Sequence, residues 1–435
     1  MRKIVSLFLS LCLLLACGAA LADEPVKVTI LHSAGGNDSH IEPWREQVAR
    51  FEASVDGAID VETEEIPGVS VDVRTKYKML NAANNLPTIV TDLGAEPAFA
   101  DLLISNHRLL NLAPYILEDE ALMSVLLDKS VAFNTEEDGA IYTFPSASTE
   151  YTGIYYNTEL FAKAGIEKFP ETWDEFWAAC DALQAIGVAP VALHTTETGW
   201  CAMLIATAYA ATQSEENLAF LNTYFPSDFD VPAMADIAMC LQKLFTYTTA
   251  DAVGGTYSLA SNNFCAGRAA MIANGPWMAE SFYDTTYAPE GFHEKVAYAT
   301  YPCGAMISNS GENRGYAISM DATEEEQMAA IEFIKFLYTR EEIIANNLLL
   351  GSMSEKVPFT DEEKALLNPI LQTYAEAVEN VKVTLPRYQG KWDSVVQTEV
   401  IEQELPNLAT GSITPEEFVA KMTEGAQRYL AQTAG

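Results

Sequence analysis

The hydrophobic pattern of the chain switches repeatedly between a period of two and a period near 3.6. Val26-Lys-Val-Thr-Ile-Leu31 alternates and then turns apolar, as a strand entering a core does. A polar, glycine-rich run at 33–40 follows, and Trp44, Val48 and Phe51 then share one face of a helix predicted over 41–55. Residues 68–73 alternate again and predict a second strand, and 87–94 predict a buried strand ending in polar residues. Residues 102–116 carry a helix. The stretch 141–157 has two β-rich arms around a polar middle, long enough to pass from one body of the protein to another. Thr172-Trp-Asp-Glu175 is a capping box opening a helix with Trp173, Phe176, Trp177, Cys180 and Leu183 at helical spacing, which makes these rings core. A strand at 188–193 runs into a polar loop, 194–200, with Trp200 at its end. Residues 294–302 predict a second crossing strand. Thr323 and Thr414 open two further capped helices.

One stretch stands apart. Residues 263–277 read as a helical turn, a buried apolar run over 269–273, and a break at Asn274, Gly275 and Pro276 that presents Trp277. A large ring just past a buried strand, beside flexible backbone, is placed either to complete the core or to face a cleft.

Strands separated by helices of this length predict an α/β fold. In open α/β sheets, ligands bind at loops past the carboxyl ends of the strands, so 33–40 and 91–96 are candidate site walls. The N-terminus alters the starting point. Arg2 and Lys3 precede an apolar run at 4–16 that is too short to span a membrane, the layout of an export signal over 1–22. Leu14-Leu15-Ala16-Cys17 predicts lipidation at Cys17; the competing exit, Ala20-Leu21-Ala22, would leave Asp23 as the new terminus. Either way the mature chain is exported, reaching the membrane only through a lipid anchor. Its remaining length, a little over 400 of 435 residues, suggests two lobes.

Composition removes several function classes. With 25 basic against 61 acidic residues the formal charge is −36, which argues against nucleic acid and anionic headgroups. An anionic ligand is disfavoured overall, though a local arginine can hold one. Cys180, Cys201, Cys240, Cys265 and Cys303 are widely spaced with no C-x-x-C, the pattern of buried thiols, and their spacing leaves room for one bridged pair without naming it. Five histidines, none at ligand spacing, leave no metal site in view, and no cofactor is expected.

Four phrases, in order, resemble one family. They are Tyr155-Tyr-Asn-Thr-Glu-Leu-Phe-Ala-Lys-Ala-Gly165, Pro170-Glu-Thr-Trp-Asp-Glu175, Phe264-Cys-Ala-Gly-Arg-Ala-Ala-Met271 leading to Gly275-Pro-Trp277, and Ala329-Ala-Ile-Glu-Phe-Ile-Lys-Phe-Leu337. The chain resembles the periplasmic or lipid-anchored sugar-binding proteins of bacterial ABC importers, the maltose-binding-protein-like type. The resemblance implies the two-lobed periplasmic-binding-protein fold, with a ligand cleft between the lobes and crossing hinge strands. It implies an N-terminal lobe of 23–145 plus 300–342 and a C-terminal lobe of 146–299 plus 343–435. It also implies a sugar ligand, permease subunits as partners, a monomer, and no enzyme activity. Matched residue by residue, it implies that Trp277 and Trp392 supply ring faces and that Glu150 contacts the ligand, with Asp92, Glu96, Asn37, Tyr151 and Trp200 in cleft loops.

Those residue types suit a sugar. Indole and phenol rings cover apolar C–H faces, adding about 0.5–1.5 kcal/mol beyond buried area, and carboxylates accept pairs of hydroxyl hydrogen bonds. Two rivals remain: the same fold holding a polyamine or another small solute, and a secreted glycosidase pairing Glu150 with Asp92 or Asp393.

Overall fold

The structure, a computed structural model, describes residues 24–35, 41–67, 70–308 and 313–433. Asn37 and Cys17 lie outside them. The first lobe is built on four strands: β1 (Val26–Gly35), β2 (Ile59–Pro67), β3 (Ile89–Val90) and, much later in the chain, β9 (Ala317–Ile318). Their order is β2-β1-β3-β9, with β1, β2 and β3 parallel and β9 antiparallel to β3. Both faces of this sheet are covered, so neighbouring residues of one strand enter different cores. Ile30, Ile89 and Ile318 meet helices Ile41–Ser54 and Glu324–Leu337 on one face. Leu31, Val90 and Ala317 meet helices Ser70–Ala82 and Pro97–Ser105 on the other.

The predicted strand at 68–73 is a correction. Ser70 begins a helix, and Val73 and Tyr77 are buried four residues apart on its inner face. So short an alternating run fits either period, and the helical one wins because it buries Tyr77 as well. The strand of this region is the preceding one, β2, which inserts Ile59 and Val61 into the core. The helix predicted over 102–116 is two helices, Pro97–Ser105 and Ala113–Ile116, with Leu109 bridged to Ser319 between them.

The second lobe holds β4 (Tyr151–Asn157), β5 (Ala189–Val191), β6 (Ala269–Asn274), β7 (Val296–Ala299), β8 (Ala305–Ser308) and β10 (Val383–Pro386). Their order is β10-β8-β4-β6-β5, and β7 also pairs with β4. Thus β4 is central, antiparallel to β6, β7 and β8. Helix Trp200–Ala211 is buried on nearly every side, which its apolar composition all round requires. The capping boxes at Thr172 and Thr323 form in full, each threonine accepting from the third backbone N–H and each glutamate accepting in return.

Core membership shows where the chain changes lobe. Phe144 belongs to the first lobe's core and Ile154 to the second's. Tyr301, Ala305, Met306 and Ile307 stay with the second lobe, and by Tyr316 the chain packs with the first. A third passage follows Leu337 through helix Arg340–Leu350. Ala147, Ile343, Ile344 and Val357 form a small apolar cluster of their own there. The five cysteines are free, four of them buried. Among the described residues, no helix is long and apolar enough to cross a membrane.

Candidate functional site

Strand β6 is buried along its whole length and stops at Asn274. The Asn274 side chain explains the stop: its Oδ1 accepts from the Gly275 N–H (2.8 Å) and its Nδ2 donates to the Tyr257 hydroxyl (2.7 Å). Tyr155 donates to the Gly275 carbonyl (3.0 Å). A single 3₁₀ turn, Pro276–Met278, then carries Trp277 out half-buried, its indole lying directly over Gly275, where any Cβ would collide with the ring. Pro276 abuts Gly351, the left-handed residue that ends helix Arg340–Leu350. Next to it, Ser352 donates to Glu150 (3.0 Å), and Thr149 bridges Met353. Trp277 and Glu150 therefore approach one another through the third passage between lobes.

Tyr151 follows Glu150 at the start of β4, half-buried, its N–H donating to the Tyr374 hydroxyl (3.0 Å). The Tyr298 hydroxyl lies 3.1 Å from the Tyr151 carbonyl and 3.0 Å from that of Asn274. These tyrosines lock the strand ends that present Glu150 and Trp277.

From the first lobe, Asp92 lies two residues past the end of β3, and its left-handed backbone (φ 60°) turns its side chain to Arg74 (2.5 Å). Burial raises the Asp92 pKa, and the guanidiniums of Arg74 and Arg387 pull it back only in part. Glu96 pairs with Lys78 and lies 3.9 Å from Arg74. Beside Asp92 a cavity of about 140 Å³ opens at the carboxyl ends of β1 and β3, lined by Leu31, His32, Thr91, Trp44 and Tyr316. Trp44 stacks on His32 (centroids 5.0 Å apart).

Arg387 joins the two sides and was not foreseen. It follows β10 in the second lobe and donates to Asn313 Oδ1 (2.6 Å), whose carbonyl accepts from Asn134 of the first lobe (3.0 Å). Burial lowers its pKa, and the charges of Asp92 and Glu150 oppose that shift. The available signal was an arginine between Pro386 and Tyr388 in a chain so short of basic residues.

Trp200 is half-buried at the head of its helix, after three residues, Glu197, Thr198 and Gly199, with positive φ. Thr198 ties this turn to the Tyr388 hydroxyl (2.8 Å), beside Arg387. Trp392 corrects an expectation. It is 0% exposed, enclosed by Phe229 and Tyr388 (centroids 5.3 Å from each). No ring face is open to a ligand, because the following π-helix, Val395–Ile401, turns Gln397 back onto the Gln389 carbonyl and seals the segment. Asp393 is likewise buried, accepting from the Val396 N–H (2.9 Å) as a helix cap. Among the described residues, no group of three or more His, Cys, Asp or Glu is gathered for a metal.

Two α/β lobes joined by three passages, with rings and ion-paired carboxylates meeting between them, define a two-lobed solute-binding protein. The chain belongs to the bacterial extracellular solute-binding protein family, whose profile matches residues 37–343. A chitin oligosaccharide binding protein is 26% identical, with a TM-score of 0.75, over 93% of this chain and 99% of that one. A maltose-bound MalE3 of T. maritima shares the fold at 20% identity and a TM-score of 0.71, over 93% of this chain and 100% of that one. An sn-glycerol-3-phosphate-binding periplasmic protein, UgpB of Rhizobium meliloti (strain 1021), is 33% identical over 72 residues. That match spans only 16% of this chain and 16% of that relative.

Proposed function

We propose that this protein is the exported binding component of an ABC importer, capturing an oligosaccharide between its lobes and delivering it to permease subunits. The observation that carries the reading is Trp277, a half-buried indole packed against Gly275 at the end of a buried strand, in a chain similar over nearly its full length to a chitin oligosaccharide binding protein. A sugar's apolar face stacks on that ring, and Glu150, Asp92 and Glu96 accept hydroxyl hydrogen bonds. Tyr151 and Trp200 border the same space. Arg74, bonded to Asp92, and Ser352, bonded to Glu150, hold these two carboxylates in place as acceptors. A ligand that touches both lobes favours their closed arrangement. These contacts weigh against a glycosidase: Glu150 accepts from Ser352, Asp92 is paired with Arg74, and Asp393 is occupied as a cap. The mature chain acts as a monomer, held to the membrane by lipid on Cys17.

Thermal melts test this with chitin and malto-oligosaccharides, glycerol 3-phosphate, spermidine and amino acids as candidate ligands. A neutral oligosaccharide raises Tm, and Trp277→Ala abolishes the rise while the fold persists. Stabilisation by spermidine or glycerol 3-phosphate alone, or turnover of a glycan, overturns the reading. The intact mass of membrane-extracted protein tests the anchor, which an unlipidated Asp23 terminus refutes.

A further inference from the structure

Away from Trp277, a second group of rings gathers between the lobes. The turn after helix Glu215–Leu221 carries Tyr224 and Phe225, 44% and 37% exposed. Phe225 has φ 44°, a left-handed backbone that a bulky side chain seldom enters and that persists only where its surroundings hold it. Two contacts do so: its N–H donates to the Lys391 carbonyl (2.7 Å), and its ring stacks on Tyr429 (centroids 6.0 Å apart, 19° between planes). The Lys391 ammonium sits 3.4 Å from the centre of the Tyr224 ring. Tyr224 is thereby fixed at the edge of the second lobe, facing Phe133 of the first (centroids 6.4 Å apart, 25° between planes). Phe133 lies on helix Asp128–Asn134, and its neighbour Asn134 donates to the Asn313 carbonyl (3.0 Å). Asn313 is also the residue that Arg387 grips, so the ring pair is continuous with the polar centre of the cleft.

We propose that Phe133 and Tyr224 form a further subsite, sandwiching a distal pyranose ring of an oligosaccharide whose other end stacks on Trp277. The proposal rests on the saccharide reading and deepens it to ligand length. Two carbon contacts of about 3.5–4.0 Å each separate aromatic rings that flank a sugar by about 7–8 Å. The present spacing of 6.4 Å is thus a small opening short of admitting one. Because each lobe supplies one ring, an occupied subsite holds the lobes at the one separation at which both rings touch the distal unit.

Calorimetric titration with chitin and malto-oligosaccharides, from dimer to hexamer, tests it. Wild type binds longer members of its preferred series more tightly. Phe133→Ala and Tyr224→Ala each remove about three- to tenfold of the hexamer's affinity and leave the dimer's unchanged. Tyr224→Leu, which keeps apolar bulk without a ring face, behaves as the alanine variant and guards against loss of fold. An equal loss for dimer and hexamer means that the pair only seals the lobes, and no loss means that the rings only pack; either result overturns the subsite. Failure of wild type to bind any member overturns the saccharide reading instead.

Discussion

His194 ends up where no polar side chain sits without consequence. It is fully buried past β5, its Nδ1 2.8 Å from the Thr196 carbonyl and its Nε2 without a hydrogen-bond partner. Nδ1 therefore carries the proton and the ring is neutral. Burial lowers its pKa from 6.5 to about 4. The unfolded chain binds the proton more readily between those values, so stability falls as pH drops through that window. We expect wild type to lose about 2 kcal/mol between pH 7 and pH 5 from this residue. His194→Gln should flatten that slope in urea titrations, whatever its cost at pH 7; an unchanged slope refutes the assignment. At this scale the sequence displayed His194 only as the first residue of a polar loop. Its burial depends on helices far along the chain.

At the scale of elements, the segment from β6 to Pro276 shows what local chemistry can do. Ala269–Asn274 is strand because every side chain is buried, and Asn-Gly-Pro stops it. Gly275 has φ −99°, which any residue adopts, so its missing side chain matters only for space. Gly275→Ala should leave the backbone intact and push the Trp277 indole aside. We expect a folded protein with about tenfold weaker glycan affinity and altered tryptophan fluorescence. Unchanged affinity would separate Trp277 from binding. The two capping boxes were equally readable, because both partners lie within one turn. The helix that starts at Ser70 was not, because its period was decided by which residues the β1–β2 sheet had room to cover.

For the whole molecule, a critical joint is the ion pair between helix Ile41–Ser54 and the third passage. Arg50 holds both Glu342 oxygens (2.8 and 2.7 Å), and Gln47 adds a bond to one (2.9 Å). Glu342 is 5% exposed. Burial raises its pKa, but the bonds from Arg50 and Gln47 and the Arg50 charge outweigh it, leaving it below the ordinary 4.5. A depressed carboxylate contributes stability above its unfolded pKa and loses it as pH falls through the folded value. Glu342→Gln should therefore cost about 1–3 kcal/mol near neutrality. That difference should shrink on acidification to about pH 3.5. A penalty independent of pH would mean that Glu342 acts by packing alone.

By itself the sequence determined the α/β class, several of the capped helices and the placement of Trp277 after a buried strand. Each of these follows from periodicity, capping or turn residues, which act over a few neighbouring positions. The family phrases added the two-lobed plan. Only the tertiary structure decided which rings are enclosed and which stay partly open. Trp277 and Trp392 each lie two residues after a glycine, yet Phe229 and Tyr388 enclose Trp392 while Trp277 is half-buried on a turn. It also decided the partners of the cleft carboxylates: Arg74 and Arg387 lie 18 and 295 residues from Asp92 in sequence. Charge pairing and burial depend on distances through space, and a linear pattern carries no term for them.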